Sequence, residues 1–202
     1  MNSEPSDLLT CFRASMVMNH EKWHDGIGYD ISLFDEATPA ELAAIETILI
    51  SRGVSDWRDA EALASLDTER SRDILKRAFE SGGDEIRFMI SRYAPDLAAT
   101  DERAEALVAI LRNAPLFGAL SGALDEVADF HPPSIIEALF EGLREREGEV
   151  AVHFAAMLFH LHGKSEEPFD FEHRDFFLRF NTSVSEERDK AIQELLERIQ
   201  TR

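Results

Sequence analysis

The stretch HEKWHDGIGYDI, residues 20–31, holds two histidines, a tryptophan, two aspartates, two glycines and a tyrosine within twelve positions. His20 and His24 stand four residues apart, the helical spacing that sets two imidazoles on one face, and Asp25 or Asp30 could add oxygen to a metal ion there. Three or four converging ligands would be needed. A plainer reading uses the same residues as a helix end. A helix from about Ser6 to Trp23 buries Leu9, Phe12 and Met16; His24 then favours the negative end of its dipole, and Gly26 accepts a positive φ. Trp23, Ile27 and Tyr29 would plug the end of the fold. His20, Trp23, His24, Asp25 and Tyr29 are therefore either a cap or a functional loop, and the ligand count favours the cap.

A second group sits in EVAVHFAAMLFHLHG. His153 and His160 lie two turns apart on one face, Glu149 lies one turn before His153, and His162 points elsewhere. A two-histidine, one-carboxylate metal site is conceivable, but ordinary histidines on a partner-facing surface fit the ligand count better. Half of the 14 phenylalanines fall between Phe154 and Phe180. The segment EEPFDFEHRDFFLRFN could line an apolar groove, or it could seal the last helices with Phe176, Phe177 and Phe180 on one face. Sealing is the favoured reading, because a large exposed apolar patch is unusual. No glycine-rich phosphate loop, nucleophile elbow or cysteine beside a base occurs.

The elements that must position these groups are helices. TPAELAAIETILISR opens with a capping box, Thr38 to Glu41 around Pro39, and Gly53 ends it. Helices follow over SDWRDAEALASL, DTERSRDILKRAFESGG, DEIRFMISRYAPDL, ATDERAEALVAILRN, PLFGALSGALDEVADF, PPSIIEALFEGLREREG and EVAVHFAAMLFHLHG, then over about 172–180 and 185–200. Apolar pairs recur: Ile74-Leu75, Leu107-Val108 and Ile135-Ile136 are spaced by 33 and 28 residues. A helix-pair repeat of that length suggests stacked hairpins, each burying its apolar face against its neighbours.

The segments DWRDAEALASLDTERSRDILKRAF and DEIRFMISRYA resemble bacterial HEAT-like repeats, in which an acidic-aromatic or acidic-aliphatic-Arg start opens the second helix of a pair (Asp56-Trp57-Arg58, Glu85-Ile86-Arg87). WHDGIGYDI also looks like the lead-in of small proteins of that kind. The resemblance implies an all-α fold, a right-handed α-α superhelix. Residues 1–37 would form an N-terminal cap helix and loop, 38–162 the repeats and 163–202 C-terminal capping helices, all in one domain. It also implies a protein-binding role. Some HEAT-fold hydroxylases hold two irons on repeated His-Glu pairs, but only His20-Glu21 has that order here. Bilin lyases share the repeat without a specific match.

Forty acidic residues stand against 21 basic ones, a net charge of -19, and acids outnumber bases in every third of the chain. Such a field repels nucleic acid and anionic lipid and favours basic partners or metal cations. The single cysteine, Cys11, excludes an intrachain disulfide and fits a reducing, cytoplasmic setting. The N-terminus has no basic lead before an apolar run, so no signal peptide is expected. The expected function is a protein-protein interaction module, with immunity-type neutralisation of a basic effector as one version. Asp56, Asp59, Glu85, Glu149 and His153 are the expected partner-binding residues. No catalytic residue, metal or cofactor is assigned. The alternative is a metal-dependent or lyase-type enzyme on the same scaffold. Arg58 and Arg87, at matching repeat positions, are expected to pair with neighbouring acids.

Overall fold

The computed structural model describes residues 6–200, apart from the side chains of Trp23 and Phe117. Among the described residues there are thirteen α-helices and no strand. None of these helices is long and apolar enough to cross a membrane. The chain divides into two compact units, one up to Ala99 and one from Thr100.

The first unit contains α1 (Asp7–Ser15), α2 (His20–His24), α3 (Leu33–Glu36), α4 (Pro39–Arg52), α5 (Trp57–Leu66), α6 (Glu69–Ser81) and α7 (Asp84–Tyr93). The start of α4 follows its sequence: Thr38 Oγ1 accepts from the Glu41 amide, and the Glu41 carboxylate accepts from the Thr38 amide. Gly53 ends α4 at φ 74°, where a Cβ would be strained. Two-residue links force α5, α6 and α7 to fold back on one another, and each of the three packs on the other two. Phe12, Ile45, Leu49, Leu63, Leu75 and Ile90 form the centre of this unit's core.

The sequence predicts one helix from Ser6 to Trp23, and here the structure differs. The chain leaves α1 at Ser15 and starts again at His20. Lys22 explains the break. Its Nζ donates to the carbonyls of Ala14, Ser15 and Val17 at 3.3, 2.9 and 3.2 Å, satisfying the open end of α1. Asn19 Oδ1 meanwhile accepts from the Lys22 amide at 2.8 Å and caps α2. Of the three residues expected inside, only Phe12 is fully buried, with Leu9 and Met16 packed partly against it.

The second unit contains α8 (Thr100–Asn113), α9 (Ser121–Asp129), α10 (Pro133–Glu145), α11 (Glu149–Leu161), α12 (Arg174–Phe177) and α13 (Ser185–Gln200). A wide π-turn, Leu116–Leu120, leads into α9. Helix α10 packs on α8 and on α11, and α13 closes over α10 and α11. The α10–α11 contact is close because Gly142 faces Phe154: a Cβ at 142 would run into that fully buried ring. The helix expected near 172–180 is instead three short turns, 3-10, α and 3-10. They suffice to bury Phe176, Phe177 and Phe180.

Candidate functional site

The glycine loop docks on α5. Gly26 has φ 64°. At Gly28, a Cβ would lie 2.8 Å from Glu61 Oε2 and 3.3 Å from the Trp57 ring. One glycine therefore turns the chain, and the other lets it lie against α5. Tyr29, 4% exposed, donates its hydroxyl to Asp59 Oδ1 at 2.8 Å. The Ser55 amide and hydroxyl donate to Asp59 Oδ2 at 3.0 and 2.7 Å. Burial first, then the hydrogen bond and charge of Asp59, push the Tyr29 hydroxyl up to about 12.

Several expected site residues take other roles in the fold. Asp59 is fully buried, so it belongs to the interior of α5's docking with the loop and not to a partner-facing surface. Asp56 caps α5 by accepting from the Arg58 amide at 2.9 Å, and it also pairs with the Arg58 guanidinium. Burial pushes the Asp56 carboxyl up, but the Arg58 hydrogen bonds outweigh it and hold the group below its ordinary value. Arg87 was expected to meet an acid; its guanidinium instead lies 5.1 Å over the Phe79 ring. Glu85 is exposed in the first turn of α7.

His20 and His24 do share a face, with ring centroids 6.2 Å apart. His24 Nδ1 lies 2.8 Å from Asp25 Oδ1, and both side chains are open to solvent. Asp30 accepts from the Ser32 hydroxyl. Ile27 is 45% exposed, so it is not the buried plug expected, and the Trp23 side chain lies outside the described residues. Among the described residues no three His, Cys, Asp or Glu side chains gather to hold a metal ion, in this loop or near His153. His160 Nδ1 is 3.1 Å from the Ser165 carbonyl, and His162 Nδ1 is 2.7 Å from the Leu158 carbonyl. Each thus turns back onto its own local backbone.

The second unit holds the feature with most chemical potential. A cavity of about 460 Å³ opens between α9, α11 and the segment before α12. Leu116, Leu124, Met157, Pro168 and Phe169 give it apolar walls; Ser121, Asp125 and His153 give it polar ones. The imidazole of His153 lies against the Phe169 ring, centroids 5.4 Å apart and tilted by 39°. Burial lowers the His153 basicity, opposed by the charge of Glu149 one turn earlier. His153 therefore presents a mainly neutral ring near pH 7.

Next to the cavity, the ring of Phe169 meets that of Phe171 edge-on at 6.1 Å. Phe171 is 79% exposed. It borders a second, open depression together with Glu166, Glu167, Asp170 and Glu172, and with Lys164 and His173. Of the phenylalanine-rich segment, then, Phe176, Phe177 and Phe180 seal the core, Phe169 is half-buried against Phe177, and Phe171 stands outside it. Sequence reasoning found His153 and Glu149, weighed the segment that holds Phe171 as a groove but favoured sealing, and assigned no site role to Asp125 or Met157. The signal for Phe171 was present: an aromatic residue set between Asp170 and Glu172 is poorly suited to a core.

Comparison with protein-family models, with curated proteins and with solved structures finds no match for this chain.

Proposed function

We propose that this chain is a protein-binding module, a HEAT-like α-solenoid that holds a basic protein partner in the cytoplasm. Phe171 carries the reading. A ring 79% exposed, stacked edge-on against Phe169 and bordered by Asp170, Glu172, Glu166 and Glu167, has the make-up of a contact anchor inside a polar rim. The chain's charge supports the sign of the partner. Even one-to-one pairing of all 21 basic residues with acids would leave 19 of the 40 carboxylates over, and that excess attracts a positive surface at long range. The recurring apolar pairs at Ile74-Leu75, Leu107-Val108 and Ile135-Ile136 support the repeat assignment. Neutralisation of a basic effector, in the manner of an immunity protein, is the version that makes most use of an acidic scaffold.

The test is capture from native lysate at low salt with two baits, the full chain and its Phe171→Ala variant. The reading expects a partner with a basic surface, depleted on the variant and released by added salt. An acidic partner, or one retained equally by both baits and indifferent to salt, would overturn it.

A further inference from the structure

The cavity between α9, α11 and the segment before α12 is mostly apolar. Leu116, Leu124, Ala128, Met157, Pro168 and Phe169 line it, and its volume is about 460 Å³, within the range of sites that enclose a small molecule. Its wall belongs to the helical frame. Leu124 and Ala128 are one turn apart on α9, and Met157 follows His153 by one turn on α11. The π-turn Leu116–Leu120 brings Leu116 to the same cavity. The Ser121 hydroxyl fixes that turn by donating to the Leu116 carbonyl at 2.8 Å. Such wide turns are frequent at functional sites.

His153 is the polar group left open. Its ring lies against Phe169, and the nearby charge is Glu149. No hydrogen bond among the described residues reaches either ring nitrogen. His131, His160 and His162, by contrast, each set Nδ1 against a backbone carbonyl. Burial lowers the basicity of His153, so near pH 7 its ring carries one N–H donor and one bare nitrogen acceptor. A hydroxyl can meet either nitrogen, as acceptor or as donor. The Met157 thioether in the wall suits an aromatic ring.

Charge is disfavoured in this cavity. An ion would give up water for apolar wall. None of the described lining residues is Lys or Arg, so an anion finds no counter-charge there. The one carboxylate among them, Asp125, is already engaged within the chain, so a cation would have to compete for it. We propose that this cavity binds a small, uncharged, mainly apolar molecule of the phenol class, its hydroxyl hydrogen-bonded to the His153 ring. The site is independent of the protein partner proposed above.

The probe is p-cresol, compared with toluene, which lacks the hydroxyl, and with p-toluate and p-methylbenzylammonium, which carry a charge. Binding to the full chain is followed by NMR at the Met157 methyl and the His153 ring protons. p-Cresol should shift both, and each ion should bind at least about tenfold more weakly. In His153→Phe, whose fold is checked by circular dichroism, the ratio of p-cresol to toluene affinity should fall about fivefold, the worth of one hydrogen bond. Ala128→Phe extends a ring into the cavity and should abolish binding of both. Unmoved Met157 and His153 signals up to the solubility limit, or an ion bound as well as p-cresol, would each overturn the site. So would an affinity ratio unchanged in a folded His153→Phe, or binding undiminished in Ala128→Phe.

Discussion

The Tyr29 hydroxyl donates to Asp59 Oδ1 at 2.8 Å across thirty residues of chain, and this bond fastens the glycine loop to α5. Asp59 has no exposed surface and also serves Ser55, so the pair belongs to the fold. Tyr29→Phe should cost about 1 kcal/mol, one net hydrogen bond, and Asp59→Ala about 3 kcal/mol, because buried donors lose their acceptor. Urea denaturation of both single variants and the double variant measures the coupling. A coupling near zero would show that the bond does not hold the loop.

The burial of Tyr29, together with this bond, predicts behaviour in alkali. The folded-state value for Tyr29, about 12, exceeds that of a free tyrosine, about 10. Between those values the folded chain keeps a proton that the unfolded chain has lost. The stabilisation is therefore whole below about pH 10 and disappears as pH rises towards about 12. Tyrosinate absorbance in a Tyr93→Phe background should show Tyr29 ionising late, together with unfolding. Ionisation near pH 10 with the fold intact would contradict it.

His24 and Asp25 pair in the open, so replacing both by Ala should change stability by no more than about 0.5 kcal/mol. Gly26→Ala, in contrast, puts a Cβ on a residue at φ 64° and should cost about 1 kcal/mol. Thermal melts of the two variants give the order. A reversed order would mean that the histidine pair, and not the turn, organises the loop.

Gly142→Ala is expected to destabilise the second unit. Helix propensity alone would favour alanine by about 1 kcal/mol. The new methyl meets the Phe154 ring, which is fully buried and cannot step aside. A net loss of about 1–3 kcal/mol should follow. Trimming the ring by Phe154→Leu in the same chain should make the two losses less than additive.

How far the sequence reached depends on whether the signal was local. The capping box at Thr38 and Glu41 and the ends of helices at Gly53 and Gly163 were legible, because each is written in neighbouring residues. The break between α1 and α2 was missed because Leu9, Phe12 and Met16 keep the helical rhythm. Asn19, three residues before Lys22, was the local clue. Asp59 was misjudged because a carboxylate on an acidic helix usually faces water; its acceptor role depends on Tyr29, thirty positions away. The cavity could not be read at all. Asp125, His153 and Phe169 come from three segments, and no periodicity brings them together.

The most direct test of the account is the affinity of the recovered partner for the full chain, measured from low to high salt. Screening acts over about 8 Å at physiological ionic strength. Affinity should therefore fall steadily as salt is added, mainly through slower association, and Phe171→Ala should weaken binding at every salt concentration. An affinity that stays constant from low salt to molar salt would contradict recognition of a basic partner by this acidic chain.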